Sequence, residues 1–480
     1  MSNKLLLTYA EKTQNQEIQE TISCMKQNDL LAIEKTDCLA LATNPYKTLA
    51  MTNKQREELS KKINSKSIKD LLRLQNEPYT QKAYESYDAG ILLTLFTETT
   101  VSHRRDNLNM DLDEKFINKL AKHWKISSFI KIIVNDDKLD KLQKSLFLID
   151  GKLLNSESNF WLALNQLNHS NKKEALEFLE LSLLKATDKM DEDKNYFWMY
   201  QITKDEKYLN KLLLSMDINI YTLYAHEIMN QEFDNYFSCV ETTDNNAELN
   251  LQDPFDWIEI LDEIKNTPKE KLIDLAEEYN FKDMSPVQAF ILEKAYDYKM
   301  HSFIMPYDSY LRNVSNDEKA LVYAIMKQES HLIPSALSRS YALGLMQLMP
   351  FVVDAINEKE NEPLEKYEEM FNPKNNINYA LKHLDWMKQS LYHPLFMAYA
   401  YNGGMGFFKR FLLQGNFNEG PYEPFISMER MQNNESREYG KKVLANYVMY
   451  KKVMGEKISI IHLFETLTQP KMTDRFREQG

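Results

Sequence analysis

Glycine is scarce in this chain and unevenly distributed. Of the 11 glycines in 480 residues, only Gly90 and Gly151 fall within residues 1–305, which also hold five of the 14 prolines. Sheet proteins need such residues at their many tight turns, so the shortage argues against a β-rich fold. The sequence therefore predicts an all-α protein whose helices are joined by short polar loops.

Cysteine, paired histidines and long apolar runs are also lacking. The three cysteines have no metal-ligand spacing and the nine histidines form no His-x-x-x-His pair, so we predict no metal site and no cofactor. A Cys24–Cys38 disulfide is compatible with an oxidising compartment, although so sparse and odd a set favours free thiols. No run of 18 apolar residues occurs, so we predict no membrane-spanning helix.

The chain has no excess of basic residues, which nucleic-acid binding would require. The net charge is −12, and residues 306–480 hold 21 basic and 21 acidic residues, so the whole acidic excess lies in residues 1–305. Neutralising phosphates requires Lys and Arg, and we expect no nucleic-acid partner. The charge shift coincides with the glycine shift, which indicates a domain boundary near residue 300.

The first part of the chain shows helical patterns without a strict repeat. Apolar stripes on both sides of a polar turn at residues 169–172 predict a helix hairpin, with Asn171 and Glu174 spaced as in a capping box. Pro254 and Pro268 indicate the start of a separate helical segment. Four tryptophans at helical spacing are expected in the core rather than at a binding surface: Trp124, Trp161, Trp198 and Trp257.

The most informative residue is Glu329. Ser315 and Glu318 have capping-box spacing and predict a helix start, and Pro334 predicts that the helix ends within a turn of Glu329. Val322, Ile325 and Met326 place Glu329 on the apolar stripe of this helix. A carboxyl group on a buried face has a raised pKa and can hold a proton near neutral pH, as cleavage of a glycosidic bond requires.

Four segments around and after Glu329 match family motifs in order and at compatible spacing. They are Glu329-Ser330, the Gly-Leu-Met-Gln-Leu-Met-Pro run at 344–350, the Ala-Tyr-Asn-Gly-Gly run at 400–404, and the Glu-Ser-Arg-Glu-Tyr run at 435–439. With weaker echoes at Met305-Pro306 and Asn376-Ile377-Asn378, residues 306–450 resemble the catalytic domain of the soluble lytic murein transglycosylases, in glycoside hydrolase family 23. Tyr341 departs from this pattern, because the family usually has glycine there, and a positive φ at this position would be costly for tyrosine.

The resemblance implies a domain organisation. Residues 1–250 would form an irregular, ring-like α-superhelix, residues 251–305 a helical linker domain, and residues 306–480 a lysozyme-like α domain that carries the catalytic site. It also implies that the protein is a monomer in the periplasm, acting on peptidoglycan glycan strands, with other cell-wall enzymes as candidate partners. The apolar stretch within residues 1–10 is too short for a signal peptide, so either the protein is cytoplasmic or its export signal has been removed, and the resemblance favours the second alternative.

The resemblance also implies a mechanism and a set of site residues. Glu329 would act first as acid and then as base, cleaving the β-1,4 bond between N-acetylmuramic acid and N-acetylglucosamine and forming a 1,6-anhydro product. Ser338, Met346 and Gln347 would contact the sugar from the loop, with Ser338 near Glu329. The other substrate-binding residues implied are Tyr401, Asn402, Glu435 and Tyr439. The nearby carboxylates Asp354 and Glu358 are expected to lie on the surface.

Two other functions remain open at this stage. A goose-type lysozyme on the same fold would hydrolyse the bond with water, and a protein without turnover would only bind peptidoglycan as a scaffold. Side-chain packing also offers a second interpretation for two site residues. Met346 is at a position typical of a helix core, and Tyr439 could serve only to cap a helix.

Overall fold

The computed structural model describes residues 16–478, which are almost wholly helical, and the predicted all-α class is confirmed. The chain divides into two compact units, Met1–Thr187 and Asp188–Gly480. The predicted domain boundaries at residues 250 and 305 both fall within the second unit and stay predictions. The residues on which the signal-peptide expectation rests, 1–10, lie outside the described part. Over residues 16–478, no helix is both long and apolar enough to cross a membrane.

The first unit is built from short helices. Its α-helices are α1 (Gln16–Lys26), α2 (Thr36–Ala42), α3 (Pro45–Leu49), α4 (Asn53–Lys62), α5 (Lys66–Leu74), α6 (Gln81–Tyr84), α7 (Ala89–Thr97), α8 (Val101–His103), α9 (Glu114–Ala121), α10 (Ile126–Val134), α11 (Asp140–Ser145), α12 (Ser156–Asn168) and α13 (Lys172–Leu184). Single 3-10 turns cover Leu30–Ala32, Leu146–Leu148 and Gly151–Leu153, and a π turn covers Arg104–Leu108.

Helices α12 and α13 form the predicted hairpin. The second helix begins where the sequence indicates, but the predicted capping box is wrong. The Asn171 side chain makes no capping hydrogen bond; instead its amide donates to Gln166 Oε1 in the preceding helix, at 2.8 Å. The hairpin is therefore held by burial of its apolar faces and by this cross-turn bond rather than by a reciprocal cap.

Two further expectations for the first unit are corrected. Cys24 and Cys38 form a disulfide and are not free thiols, because the packing of α1 against α2 brings them together. Trp124 is 79% exposed, so its assignment to the core is wrong. It lies in the turn after α9, stacked on His123 and covered by the Lys125 ammonium group, which explains why helical spacing did not predict its position.

The second unit contains longer helices and one very short strand pair. Its α-helices are α14 (Lys189–Thr203), α15 (Lys207–Leu213), α16 (Ile220–Ile228), α17 (Pro254–Asn266), α18 (Leu272–Glu278), α19 (Ser285–Ala295), α20 (Asn316–Ser330), α21 (Pro350–Asn357), α22 (Pro373–Lys388), α23 (Pro394–Gly403), α24 (Met405–Leu413), α25 (Phe425–Arg430), α26 (Asn434–Val453), α27 (Ile460–Thr466) and α28 (Pro470–Thr473). Strands β1 (Tyr236–Phe237) and β2 (His301–Ser302) pair in parallel. Single 3-10 turns cover Lys269–Lys271, Lys282–Met284, Asp308–Leu311 and Tyr367–Phe371.

The core of the second unit is centred on α26, which packs against both α20 and α23. Gly440 permits the close approach of α23, since a Cβ atom there would lie 2.2 Å from the Tyr399 ring. Trp198 is fully buried as predicted, and so is Trp161 in the first unit. Trp257 is partly buried against a second cluster, formed mainly by α17 to α19, which also takes in Ile333 from the segment after α20.

Candidate active site

Glu329 lies in the last turn of α20. The Ser315 hydroxyl caps the start of this helix by accepting a hydrogen bond from the Glu318 N–H, and the helix ends at Ser330, both as predicted. Val322, Ile325 and Met326 are fully buried, and Glu329 continues their stripe to a half-buried position at its end. The fold thus carries a carboxyl group on an apolar stripe to a place that still reaches solvent.

Burial raises the pKa of Glu329 to about 7. Removing a carboxylate from water penalises its charged form, and this is the largest effect here. The hydrogen bond that Glu329 accepts from Tyr439 lowers its pKa in part, while the negative charge of Glu435 raises it. Near neutral pH the group is therefore present in both protonation states, as an acid–base catalyst requires.

The segment after the acid turns sharply through left-handed backbone conformations. His331 and Leu332 have φ values of 51° and 67°, which non-glycine residues seldom adopt. The Ser330 hydroxyl lies 2.8 Å from the Leu345 carbonyl oxygen and 3.0 Å from that of Met326. Ser330 thus connects the end of α20 to the loop that carries Leu345. This contact explains why a serine follows Glu329.

Asn376 holds that loop in place from α22. Its side-chain amide donates to the carbonyl oxygens of Leu343 and Met370, and its Oδ1 accepts from the Met346 N–H, all at 2.9 Å. Gly344 has a φ of 72°, and a Cβ atom there would lie 2.2 Å from Asn376 Nδ2, so the turn requires glycine. The sequence singled out Asn376 only as part of a weak motif.

Ser338 and Gln347 are bonded to their own loop. The Ser338 hydroxyl accepts hydrogen bonds from the N–H groups of Ser340 and Ala342, and Gln347 Nε2 donates to the carbonyls of Ala336 and Gly344. Both side chains are half-buried, so a part of each faces solvent. The contacts within the loop fix its shape. The expected position of the Ser338 hydroxyl close to Glu329 and to the sugar stays a prediction.

Two tyrosines from different helices are next to the acid. Tyr439 on α26 donates a hydrogen bond to Glu329 Oε1 at 2.8 Å, so it does more than cap a helix. Tyr401 on α23 donates to the Met346 carbonyl oxygen at 2.6 Å. Burial, followed by the charge of Glu329, raises the pKa of both phenols well above the ordinary value, so both remain donors.

Met346 lies at a core position. Its side chain is fully buried and only its backbone takes part in the site, which agrees with the packing interpretation rather than with contact to a sugar. The half-buried methionine of the same segment is Met349, immediately before α21. Sequence motifs do not separate the two methionines, because both match the family pattern.

Asn402 and Glu435 meet at one edge of the site. Asn402 Nδ2 donates to Glu435 Oε1 at 3.3 Å, and Asn402 Oδ1 accepts from the Ser436 hydroxyl at 2.7 Å. Glu435 is exposed in the first turn of α26, where the helix dipole favours a negative charge. Asp354 and Glu358 are exposed on and after α21 as predicted, so Glu435 is the carboxylate whose charge affects Glu329.

An aromatic series leads from the surface to Tyr401. Trp386 on α22 is about half exposed and stacks on His383, with ring centroids 5.6 Å apart. His383 in turn meets the edge of the Tyr401 ring at 5.6 Å, and burial lowers its pKa, which favours the neutral imidazole. Neither His383 nor Trp386 belongs to the site residues predicted from the sequence, although their i, i+3 spacing on one helix indicates a shared face.

The donor set of this site suits proton transfer. Within the described residues 16–478, no group of three or more His, Cys, Asp or Glu side chains could hold a metal ion. The site offers a carboxyl group with a pKa near neutrality, two phenol donors, and the hydrogen-bonded amide and carboxylate of Asn402 and Glu435. A carboxyl group with a pKa near 7, such as that of Glu329, can protonate a leaving oxygen and then accept a proton in the next step.

Comparison with known proteins agrees with this geometry. Residues 310–419 match the family described as Transglycosylase SLT domain. The chain is 29% identical over 215 residues to the soluble lytic murein transglycosylase of Escherichia coli strain K12, covering 44% of this chain and 33% of that protein. It is 28% identical over 213 residues to that of Salmonella typhimurium, covering 43% and 32%. The matched segments thus span about a third of the length of these curated relatives.

Two solved structures are similar over most of the chain. The lytic transglycosylase Slt from Pseudomonas aeruginosa, crystallised as an inactive mutant, has a TM-score of 0.54 at 14% identity, covering 95% of this chain and 82% of that one. A 70-kDa soluble lytic transglycosylase in complex with bulgecin A has a TM-score of 0.52 at 15% identity, covering 95% and 81%. At these identities the likeness shows the fold. The resemblance inferred from the motifs is confirmed: residues 310–419 match the transglycosylase SLT domain, and the fold of the chain is similar to that of the soluble lytic transglycosylases.

Proposed function

We propose that this protein is a lytic murein transglycosylase. It cleaves the β-1,4 bond between N-acetylmuramic acid and N-acetylglucosamine in peptidoglycan and forms a 1,6-anhydro-N-acetylmuramic acid end. The observation that carries the proposal is the Glu329 carboxyl group, which has a pKa of about 7 and accepts a hydrogen bond from Tyr439. The matching SLT domain supports the same conclusion.

In the first step the protonated Glu329 gives its proton to the glycosidic oxygen. The C–O bond breaks, N-acetylglucosamine leaves as the alcohol, and the substrate's N-acetyl oxygen supplies electron density to the cationic sugar. In the second step the Glu329 carboxylate takes the proton of the C6 hydroxyl while that oxygen bonds to C1. The acid is regenerated, no water is consumed, and the attack is intramolecular, which greatly favours it.

The remaining residues hold the reacting groups. Tyr439 orients the Glu329 carboxyl group through its hydrogen bond, and Tyr401 lies beside it with its hydroxyl on the Met346 carbonyl. Asn402 and Glu435 form the groove edge at the start of α26. Ser338 and Gln347 present the accessible parts of their side chains to the sugar from the opposite loop, whose shape they also fix.

A hydrolase of the goose-type lysozyme class is the second candidate, and one observation favours it. Glu435 is exposed and close enough for its charge to raise the pKa of Glu329, so it could serve as a base for a water molecule. We assign Glu435 to the edge of the site instead, because its carboxylate is exposed and accepts a hydrogen bond from Asn402. The two reactions differ in product mass by one water.

The test is digestion of purified peptidoglycan followed by mass spectrometry of the muropeptides. The wild-type protein should release anhydro ends, and Glu329→Gln should lose almost all turnover, by about a thousandfold or more, since it removes both proton transfers. Glu358→Gln, at an exposed carboxylate, is the matched control and should keep full activity. Reducing ends alone would identify a hydrolase, and the absence of cleavage products from both wild type and Glu329→Gln would identify a binding scaffold. Equal cleavage by both proteins would contradict the role of Glu329.

The cellular setting follows from the substrate. Because peptidoglycan lies outside the inner membrane, we place the protein in the periplasm, where the Cys24–Cys38 disulfide would also be stable. We propose that it acts as a monomer on the glycan strands and that other cell-wall enzymes are its candidate partners. Fractionation of cells and the mass of the purified protein in solution test these two statements separately.

A further inference from the structure

A second cleft opens beside the loop of the active site. It has a volume of about 470 Å³, within the range of binding sites for small molecules and polymer segments. Leu337, Tyr341 and Leu343 form one wall, and they belong to the same loop as Ser338 and Gln347. The other lining residues come from the segment 250–255, which leads into α17, and from the 3-10 turn Tyr367–Phe371. The cleft therefore shares its loop with Ser338 and Gln347, the residues that we place against the substrate.

Aromatic rings line this cleft while remaining open to solvent. Phe255 is 76% exposed and Tyr341 is 43% exposed, and Tyr367 is also accessible. Three accessible rings around one depression form an apolar surface of the kind that marks a binding site. The face of an aromatic ring carries negative potential and attracts the C–H groups that cover one side of a pyranose ring.

The polar groups of the cleft suit a neutral, hydroxyl-rich ligand. Asn250 and Gln252 supply amides, and Asp253 and Glu368 supply carboxylates, so the wall offers both donors and acceptors. Of the described residues that line the cleft, none is basic. An anionic ligand would therefore find no positively charged partner in the cleft. Sugar hydroxyl and acetamido groups would find hydrogen-bond donors and acceptors there.

The backbone at Tyr341 provides an independent observation. Its φ is 65°, a left-handed conformation that costs tyrosine free energy and that glycine adopts freely. The Tyr341 N–H donates to the Ser338 carbonyl, so the turn is formed regardless of the side chain. Because Tyr341 combines this costly backbone conformation with an exposed ring at the rim of the cleft, a role of the ring in contact with a ligand is a hypothesis that the geometry supports.

We propose that this cleft is a distal saccharide subsite. It would bind a neutral N-acetylhexosamine segment of the glycan strand, stacked on Tyr341 and Phe255, away from the bond that is cleaved. This inference rests on the proposed function in one respect, namely that the substrate is a glycan polymer. Once one part of a strand is bound in the cleft, binding of the reacting bond at Glu329 becomes intramolecular and costs less entropy. The subsite therefore favours long strands over short ones.

The experiment measures binding to the full chain carrying Glu329→Gln, which separates affinity from turnover. The probes are the N-acetylglucosamine hexamer and trimer, titrated by calorimetry. Tyr341→Gly and Phe255→Ala should each weaken hexamer binding by about tenfold, the loss of one stacking contact, and leave trimer binding unchanged. Tyr341→Phe keeps the ring and the backbone cost and should bind like the parent. Tyr392→Ala, at an exposed tyrosine outside the cleft, is the control.

Each other outcome overturns the subsite. If the hexamer does not bind, or binds equally well to the Gly and Ala variants, the cleft holds no saccharide. If trimer and hexamer weaken together, Tyr341 acts only through the shape of the active-site loop. A basic peptide is titrated as an alternative probe. If the peptide binds and loses affinity in these variants while the hexamer does not, the cleft recognises peptide. The proposed function is tested separately, because it predicts anhydro products in digests made with the wild-type protein and is contradicted by their absence.

Discussion

Tyr439 donates a hydrogen bond to Glu329 over 2.8 Å, although the two residues are 110 positions apart in the chain. The bond exists because α26 packs along α20 and brings the phenol to the end of the acid's helix. It opposes the effect of burial, since a donor to the carboxylate stabilises the charged form and lowers the pKa. Burial sets the raised pKa of Glu329, and Tyr439 and Glu435 adjust it in opposite directions.

The alkaline limb of the pH–activity profile should follow the pKa of Glu329. The first step needs the protonated acid, so kcat/KM should fall as the pH rises above about 7. Tyr439→Phe removes the hydrogen bond that lowers this pKa and should move the limb to higher pH, while reducing the rate. Glu435→Gln removes a charge that raises it and should move the limb to lower pH. We expect shifts of roughly half a unit to one unit, measured as kcat/KM over pH 5 to 9.

Opposite shifts in the two variants are the distinctive outcome. A merely structural effect would lower activity at every pH without moving the limb. Shifts of both variants in the same direction would contradict the assignment of Glu329 as the titrating acid.

The raised pKa of Glu329 also reduces stability at high pH. Its folded pKa of about 7 lies above the ordinary value of 4.5, so the folded state binds this proton more tightly than the unfolded state does. The free energy of unfolding contributed by this group therefore falls as the pH rises from 4.5 to about 7. Glutamine does not titrate, so Glu329→Gln should be more stable than wild type above pH 7, by up to about 3 kcal/mol. The difference should vanish below pH 4.5.

Chemical denaturation at pH 4 and pH 8 measures this difference. Glu358→Gln, at an exposed carboxylate, should show almost none at either pH and serves as the control. A stability gain for Glu329→Gln that is equal at both values would mean that the group is not destabilised by burial.

Much of the acid's local structure could be predicted from the sequence, because it depends on short-range rules. The cap at Ser315, the end of α20 and the burial of Val322 follow from spacing and from the turn chemistry of nearby residues. The sequence left the loop around Tyr341 open, because the family usually has glycine there; the structure has tyrosine at this position with a positive φ of 65°.

What the sequence could not predict depends on contacts between distant segments. Tyr439 carries no local signal that it meets Glu329. The sequence left two interpretations of Met346 open, sugar contact or core packing, and only the fold shows that its side chain is buried. The exposure of Trp124 has the same origin, because helical spacing says which residues share a face but not whether another element covers it. The disulfide between Cys24 and Cys38 also depends on how α1 and α2 pack.

The contact between α23 and α26 gives a stability prediction. A Cβ atom at Gly440 would lie 2.2 Å from the buried Tyr399 ring, so Gly440→Ala must move one helix. We expect a loss of about 1–3 kcal/mol in the free energy of unfolding, together with lower kcat, because Tyr439 is adjacent. Gly406→Ala is the matched control. Its nearest neighbour would be Arg410 Nη1 at 3.6 Å, an ordinary contact, and alanine within α24 should stabilise by up to about 1 kcal/mol. Thermal or chemical denaturation of both variants measures the contrast.

Tyr341 should show a trade between stability and binding. Tyrosine in the left-handed region costs about 1–2 kcal/mol, and glycine removes this cost but loses about 0.5–1 kcal/mol to the entropy of the unfolded chain. Tyr341→Gly should therefore raise the free energy of unfolding by about 0.5 kcal/mol or slightly more. Tyr341→Ala keeps the unfavourable φ and should give no gain. Denaturation of the three proteins side by side measures the difference, and a destabilised Gly variant would mean that the tyrosine ring packs within the fold. A Gly variant that is more stable yet binds the hexamer less well would show that the tyrosine is retained for its contact with the glycan strand.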